Sequence, residues 1–346
     1  MKNGKREICT SGSVRDEDGQ PPHLLGRRNF LHLAAGAAAL PAVSRIAWAQ
    51  AYPTRPVRWV VGYTPGGGND IFARLMGQWL QERTGQPFVI ENRPGAGSNI
   101  ATEVVVNAPA DGYTLLLANF ANASNASLYS NLKFNFMRDI TPVAGIVRVP
   151  NLMLVNLSVP AKTIPEFIAY AKANPGKVNM GSAGIGSTGQ LAGELFKMLA
   201  GVEFTHVPYR GNAPALTDLL GGRVQVLFAS LPSSIEYIRT GKLRGLAVTS
   251  AMRSEASPDL PTVAEFVPGY EVSSWYGIGS PRNMPADIVE TLNREVNAGL
   301  GDPKLKGQLA DQGGIEIAGT PADFGKLIAD ETEKWAKVIR SANIRL

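Results

Sequence analysis

Two glycine-rich segments dominate the sequence: Tyr63-Thr64-Pro65-Gly66-Gly67-Gly68-Asn69-Asp70 and Ser182-Ala183-Gly184-Ile185-Gly186-Ser187-Thr188-Gly189. Each follows a short apolar run typical of a buried strand, residues 57–61 and 178–180, and each precedes a helical pattern. At such a turn the glycines let a ligand approach the backbone, and the first amides and dipole of the helix favour an anion. Because neither turn carries a phosphate-binding lysine, the pair predicts two half-sites that close on a small anion.

The N-terminal segment predicts export. Residues 26–31 read Gly-Arg-Arg-Asn-Phe-Leu, a twin-arginine pattern, and an alanine-rich apolar run over 31–40 precedes Arg45 and the cleavage-site pattern Ala47-Trp48-Ala49. This run is far shorter than the roughly 20 residues that span a bilayer, so an anchor helix is a poor alternative. We expect residues 1–49 to be a cleaved signal peptide and the mature chain to work in the periplasm.

The mature chain carries few groups for covalent or metal chemistry. Removing the leader takes the single cysteine, Cys9, and two of the three histidines, so that His206 is left. This excludes disulfides, cysteine nucleophiles and zinc sites of clustered Cys and His. The net charge of +5 is partly due to the leader, and no clustered basic surface points to nucleic acid. We expect no cofactor, no metal site and no catalytic residue.

Strand and helix patterns alternate along most of the mature chain. Extended runs are predicted over 143–149, 152–155 and 272–280, and helices over 212–220 and 321–341, with Ser98, Thr163 and Thr320 as helix caps. Repeated strand–helix–strand units predict an α/β fold of mostly parallel sheets flanked by helices. We predict two lobes joined by crossing segments: residues 50–148 plus 273–346 form lobe 1, and residues 149–272 form lobe 2.

Several further segments occur in a distinctive order. They are residues 91–97 (Glu-Asn-Arg-Pro-Gly-Ala-Gly), 111–115, 207–211 (Val-Pro-Tyr-Arg-Gly), 214–215, 218–222 and 243–249. Together with residues 63–70, they resemble the substrate-binding receptors of tripartite tricarboxylate transporters, also called the Bug family, from Tyr52 to the C-terminus. The resemblance implies a two-lobed Venus-flytrap receptor, monomeric, that binds a small carboxylate between its lobes and delivers it to membrane permease subunits. Gln190 and Gln225 depart from residues common in the family, histidine and aspartate, so the ligand is left open among di- and tricarboxylates, aromatic acids and acidic amino acids.

The resemblance also implies which residues contact the ligand. The first turn (Thr64, Pro65, Gly66, Gly67, Gly68) would contact the ligand through its backbone, with amides donated by its non-proline residues. The second turn (Ala183, Gly184, Ile185, Gly186, Ser187) would also offer backbone amides, with the hydroxyls of Ser187 and Thr188 as further donors. Tyr63 would wall the cleft, and Asn119, Ser230 and Tyr209 follow strands at the same edge. Asp70 is either a helix cap or a ligand contact. Arg210 either clamps a carboxylate or is a surface arginine paired with an acid.

The sequence offers weaker support for other functions. Residues 184–189 fit the dinucleotide pattern GxGxxG, but the acid that would hold a ribose is not at the end of the next strand, because Glu203 stands at its start. A periplasmic hydrolase on the same fold lacks a GxSxG or HExxH motif. An exported sensor that feeds a signalling system stays an alternative to transport.

Overall fold

The protein is described here from a computed structural model, which covers residues 52–341 and residue 344. The predicted signal peptide, residues 1–49, lies outside the described residues. Among residues 52–341, no helix combines the length and the apolar character needed to cross a membrane.

Strands and helices alternate as the sequence pattern predicts. The strands are β1 (Val57–Val61), β2 (Phe88–Asn92), β3 (Thr114–Asn119), β4 (Ile140–Val155), β5 (Asn179–Ser182), β6 (Thr205–Pro208), β7 (Val226–Ser230), β8 (Arg244–Val248), β9 (Ser273–Pro281) and β10 (Ile315–Glu316). The helices are α1 (Gly68–Thr84), α2 (Asn99–Val106), α3 (Phe120–Leu128), α4 (Phe136–Asp139), α5 (Ile164–Ala173), α6 (Thr188–Ala200), α7 (Asn212–Leu220), α8 (Leu231–Arg239), α9 (Ala286–Gly301), α10 (Pro303–Asp311) and α11 (Pro321–Ser341). Short 3-10 turns cover Ala96–Ser98 and Val263–Glu265.

The sheet is mixed and contains two parallel groups. Its strand order is β2-β1-β3-β9-β4-β7-β5-β6, with β8 and β10 also paired to β4. The first group is β1 with β2 and β3, and the second is β5 with β6 and β7. The crossing strands β4 and β9 pair antiparallel with each other. Strand β9 also pairs antiparallel with β3, and β4 pairs antiparallel with β7. The expected parallel strand–helix units are therefore present, and antiparallel crossing strands join them.

Strand β4 is longer than the sequence indicated. The runs predicted over 143–149 and 152–155 form one strand of 16 residues. Its part up to Pro150 pairs with β9, and Asn151–Val155 pairs with β7. Pro150, which has no backbone N–H to donate, stands where β4 exchanges one partner for the other. The lobe boundaries predicted near residues 148 and 272 stay a prediction.

Most predicted helices have the expected bounds. Those over 212–220 and 321–341 match α7 and α11, and both predicted threonine caps are confirmed, since Thr163 Oγ1 accepts from the Glu166 amide at 3.3 Å and Thr320 Oγ1 from the Asp323 amide at 3.1 Å. The prediction that the Ser98 side chain caps a helix was wrong. Ser98 precedes α2 with φ 75° and makes no side-chain cap bond. Helices α3 and α4 were not predicted.

Helix α11 ties the crossing strand β4 to the residues around α3. Trp335 is fully buried, its ring lies 4.8 Å from that of Phe120 in an edge-to-face contact, and its Nε1 donates to Glu331 Oε2 at 3.0 Å. Glu331 also accepts from Arg148 of β4 at 3.3 Å. The indole therefore anchors the C-terminal helix to both elements.

We expect Trp335→Ala to lower the free energy of unfolding by about 3–5 kcal/mol, because it leaves a large cavity and removes the donor to Glu331. Urea titration of the mature protein measures this. Phe266→Ala is the matched control, since that ring is 42 % exposed. Equal costs for the two substitutions would contradict the anchoring role.

Candidate ligand-binding site

A polar cavity lies between the two parallel strand groups, beside the loops that follow their carboxyl ends. Its volume is about 330 Å³ when the solvent-open space at its mouth is included. It is called the central cavity below, and it is lined by Tyr63, Asn69, Asn119, Phe120, Ala121, Asn151, Ala183, Ser187, Thr188, Gly189, Asn212, Ser230, Ser274 and Tyr276. None of these lining residues, all within the described part of the chain, carries a formal charge at neutral pH. Such a position outside the carboxyl ends of parallel strands is typical of ligand sites in α/β folds.

Five helices begin at the wall of the central cavity. The lining residues from these helix starts are Asn69 of α1, Phe120 and Ala121 of α3, Thr188 and Gly189 of α6, Asn212 of α7, and Ser230, which precedes α8. The first amides of a helix lack intrahelical acceptors and lie at the positive end of its dipole. The cavity is therefore suited to an anion although no cationic side chain lines it.

Several of these helix starts have no side-chain cap. Gly67, Gly211 and Ser230 occupy the N-cap positions of α1, α7 and α8 without such a bond. By contrast, Asn119 caps α3 by accepting from the Ala121 amide at 3.0 Å, and Ser187 caps α6 by accepting from the Gln190 amide at 3.3 Å. The uncapped starts leave backbone donors that a ligand can use.

Hydroxyl groups and one amide complete the central cavity. Ser274 Oγ lies 2.9 Å from Asn151 Oδ1 and 3.0 Å from Thr188 Oγ1. The side-chain nitrogen of Asn151, Nδ2, makes no hydrogen bond within the described residues, although Asn151 is only 2 % exposed. Burial raises the pKa of Tyr276 to about 12 and that of Tyr63 further still, so both phenols stay protonated and able to donate.

A second cavity adjoins the central one. It has an empty volume of about 430 Å³ and shares Tyr63 and Ala183 with its neighbour. It is called the outer cavity below, and its lining is Tyr63, Gly95, Ala96, Gly97, Tyr129, Ala183, Gly184, Ile185, Pro208, Tyr209 and Arg210. Arg210 is exposed and makes no ion pair with any described residue.

The two sides of the cleft touch each other through the second glycine turn. Ser124 Oγ of α3 donates to the Gly186 carbonyl at 2.9 Å. A Cβ atom on Gly97 would lie 2.2 Å from the Ile185 carbonyl oxygen, and one on Gly186 would lie 2.0 Å from Asn125 Oδ1. Only glycine permits these approaches, so the turn glycines let the walls of the cleft close on each other.

Known proteins of one family match this chain. A family model described as "Tripartite tricarboxylate transporter family receptor" matches residues 72–344. The chain belongs to this family of receptors. Among solved structures, Rpa4515 of R. palustris with adipate is 42 % identical, with a TM-score of 0.83, over 85 % of this chain and 99 % of that one. The periplasmic binding protein BugD is 32 % identical, with a TM-score of 0.82 and the same coverage. MatC (Rpa3494) from Rhodopseudomonas palustris with bound malate is 31 % identical, with a TM-score of 0.79, over 83 % of this chain and 100 % of that one.

Family membership confirms the two-lobed α/β fold and the function of a solute-binding receptor for a transporter, as the motif order implied. The receptor brings together many, but not all, of the residues predicted for its site. Tyr63, Asn119, Ala183, Ser187, Thr188 and Ser230 line the central cavity. Gly184, Ile185, Tyr209 and Arg210 line the outer cavity.

The other predicted residues line neither cavity. They are Thr64, Pro65, Gly66, Gly67, Gly68, Asp70 and Gly186. Thr64 is turned towards Gly211, since a Cβ atom added to Gly211 would lie 2.2 Å from Thr64 Oγ1. Gly68 serves by being small, since a Cβ there would lie 2.8 Å from Ser230 Oγ and from Tyr276 Oη, both at the cavity wall. The first turn thus supports the wall of the central cavity without lining it.

Asp70 holds the first turn in the receptor rather than lining a cavity. Its carboxylate accepts from the Gly66 amide at 3.1 Å, from Arg74 Nε at 3.0 Å and from Asn92 Nδ2 at 3.1 Å. Burial alone would raise the pKa of Asp70, but these bonds outweigh it and lower the pKa below its ordinary value. Of the two roles left open by the sequence, the structure favours fixing the turn.

Sequence reasoning missed the lining residues on the crossing strands. Asn151 lies on β4, and Ser274 and Tyr276 lie on β9. These residues do not follow the carboxyl ends of parallel strands, because β4 and β9 run antiparallel to their neighbours. A usable signal was present, because Asn151 is a lone amide in an apolar run. Asn69, Phe120, Ala121, Gly189 and Asn212 were also missed, although they begin helices at the predicted edge.

His206 belongs to a pair that the sequence did not reveal. Ser182 Oγ lies 2.6 Å from His206 Nε2, beside the second turn. Burial, with a smaller contribution from Lys197, lowers the pKa of His206 to about 4. Ser182 is completely buried and lines neither cavity. The pair therefore positions the strand end that begins the second turn.

We expect Asp70→Asn to destabilise the receptor by about 1.5–3 kcal/mol at pH 7, because the charged acceptor of three bonds is lost. A lowered folded pKa means that this stabilisation is full above the ordinary Asp pKa and is lost as the pH falls through the folded value. Urea unfolding at pH 7 and pH 3 measures both, and we expect a smaller cost at pH 3. Asp259→Asn at an exposed position is the control. A cost of equal size at both pH values would contradict the role of the charge.

Proposed function

We propose that this receptor binds a small carboxylate in the central cavity and passes it unchanged to membrane permease subunits. The observation that carries this proposal is the convergence of five helix starts on a cavity lined by no charged side chain. Backbone amides and dipoles at helix N-termini stabilise an anion in such surroundings. The adipate of Rpa4515 and the malate of MatC, both carboxylates, support the same ligand class.

The available donors are sufficient for tight binding. Micromolar affinity corresponds to about −8 kcal/mol. Hydrogen bonds to a charged group contribute about 1.5–3 kcal/mol each before ordering costs, so a few uncapped amides with the Tyr63 and Tyr276 phenols reach that range. Closure of the cleft would exclude water and strengthen each bond.

We propose that capture is a hinge motion about the crossing strands. The moving bodies would be the two predicted lobes, residues 50–148 with 273–346 and residues 149–272, and β4 and β9 would connect them. The Ser124 contact to Gly186 supports this proposal, because it joins the helix after β3 to the turn after β5, and opening of the cleft would break it.

No chemical conversion of the ligand is part of this proposal. The one serine–histidine pair found among the described residues, Ser182 with His206, is shielded from both cavities. A His206 pKa of about 4 makes the imidazole a weak base at neutral pH. Export by the twin-arginine signal, action in the periplasm as a monomer, and delivery to a permease complete the proposed role, with no cofactor and no nucleic acid.

Asn151→Asp tests the central cavity with almost no change of shape. The new carboxylate would face a bound anion, and we expect at least a 100-fold loss of affinity, since like charges placed together cost several kcal/mol. Calorimetric titration of residues 50–346 with adipate and malate, and with the uncharged diamide of adipate, measures it. Asn107→Asp, at an exposed position, is the matched control. Unchanged carboxylate affinity in Asn151→Asp, or equal binding of the diamide, would refute the proposed site.

Ser124→Ala tests closure. Removing one hydrogen bond across the cleft costs about 1 kcal/mol, so we expect roughly fivefold weaker ligand binding with little change in the stability of the unliganded protein. The control is Ser158→Ala, because the Ser158 hydroxyl bonds only to Asn156, two residues away. Affinity equal to that of the control variant would mean that this contact is not part of the bound state.

A further inference from the structure

A hydrogen-bond network extends from His206 to two amides of the second glycine turn. The Gly186 amide donates to Gln190 Oε1 at 2.7 Å, and Gln190 Nε2 lies 3.4 Å from His206 Nδ1. On the other side of the ring, His206 Nε2 lies 2.6 Å from Ser182 Oγ, and this oxygen accepts from the Gly184 amide at 3.1 Å. Gln190 and Ser182 are buried. One imidazole is therefore connected, through two buried side chains, to both glycines at the centre of the turn.

The bonding pattern fixes the tautomer of His206. A backbone N–H can only donate, so the Gly186 amide requires the oxygen of the Gln190 side chain to face it. The Gln190 nitrogen then faces His206 Nδ1, which must be an acceptor, and the ring proton lies on Nε2. Nε2 donates to Ser182 Oγ, and the Ser182 hydroxyl donates its own proton to the Gly184 carbonyl at 3.2 Å. Because an imidazolium would turn a second N–H towards the Gln190 amide nitrogen, the network requires neutral His206.

The surroundings keep this imidazole neutral. The neighbouring strand β5 has no charged residue. The charged group that acts on His206 is Lys197 of α6, which pairs with Glu194 at 3.1 Å and with Glu203 at 3.4 Å. Burial and, to a smaller extent, Lys197 lower the pKa of His206 to about 4. The network is therefore intact at neutral pH.

The amides of the second turn divide into two sets. Those of Gly184 and Gly186 bond to the network, and the Ser187 amide donates to the Gly184 carbonyl at 3.1 Å. The two held glycines have φ values of 127° and 77°, which only glycine adopts readily. Other amides make no hydrogen bond within the described residues, and three of these belong to lining residues of the central cavity: Ala183, Thr188 and Gly189.

We propose that His206 is a positioning residue for ligand binding, which fixes the second turn through Gln190 and Ser182 so that its three free amides are directed at the ligand. This proposal rests on the proposed function, since the anion in the central cavity is what those amides would bind. His206 lines neither cavity and acts only through the turn. Without the network the Gly184 and Gly186 amides would lose their acceptors, and glycine has the conformational freedom to rotate away.

The tautomer can be tested without any ligand. His206 is the one histidine of residues 50–346, so its imidazole gives a single set of NMR signals. We expect the ring-nitrogen shifts at pH 7 to show the Nε2–H tautomer, and the ring to stay neutral down to about pH 5. Gln190→Glu should raise the pKa of His206, because a carboxylate would accept from a protonated Nδ1. A proton on Nδ1, or titration of wild type at the ordinary histidine pKa, would overturn the network.

Affinity tests the positioning role. Calorimetric titration would use adipate, citrate, benzoate and glutamate, and the variants would be compared with the acid that binds wild type best. His206→Phe keeps a ring but no nitrogen, and we expect roughly 10-fold weaker binding, the range of one or two lost hydrogen bonds. His206→Gln supplies an N–H for Ser182 and should recover part of the loss. Thr205→Ala, at an exposed position of the same strand, is the control that should change nothing.

A double-mutant cycle distinguishes positioning from a general loss of stability. Gln190→Met should weaken binding about as much as His206→Phe, and the double variant should lose little more than either alone, because both act through one turn. Unchanged affinity in His206→Phe, with only its urea stability lowered, would overturn the positioning role, and so would additive losses of affinity in the double variant. In these cases carboxylate binding would still stand. If wild type bound none of the four acids, the proposed function itself would fall, and the positioning role with it.

Discussion

The structure depends on one constraint: the strands of each parallel group end at the same edge, and every helix that follows must begin there. The backbone amides at those beginnings have no intrahelical acceptors, so they collect at the edge where the two groups face each other. Loops after β1, β3, β5 and β7 all reach the central cavity in this way. An anion site is therefore a consequence of the fold before any side chain is chosen, and side chains then decide which anion fits.

The crossing strands connect the two strand groups beside the central cavity. Strand β4 pairs along one part with β9, which borders the first strand group, and along the next part with β7 of the second group, so one continuous backbone connects the two groups. Asn151 stands where the partner changes, and its side chain accepts from Ser274 of β9 while lining the central cavity. The residues about which a hinge would turn thus touch the ligand site directly, which links occupancy of the cavity to the geometry of the connection.

Local patterns in the sequence predicted the alternating strands and helices, and six of the residues that the family resemblance implied for the site line the central cavity. Helical periodicity, the threonine caps and the glycine turns are local signals, and they located α7, α11 and the loops at the strand ends. The contacts that the sequence did not predict are non-local. Three contacts join segments that are far apart in sequence: Gly186 with Asn125, Thr64 with Gly211, and Ser182 with His206. Asp70 shows the same limit, because an acid at a helix start reads as a cap or a ligand contact, and only its bonds to Gly66, Arg74 and Asn92 show that it fixes the turn.

The lining of the central cavity carries no formal charge, whereas the outer cavity has Arg210. This distribution suits a receptor that must release its ligand as well as bind it. A guanidinium enclosed in the central cavity would need a partner whenever the ligand left, since an unpaired buried charge is costly. Backbone amides carry no net charge, so they are hydrated in the open state and bonded in the closed state at little cost in either. Arg210 is exposed, so solvent can hydrate its guanidinium without a protein partner. Helix dipoles at the central cavity would therefore let the proposed site bind an anion and release it without leaving a buried charge unpaired.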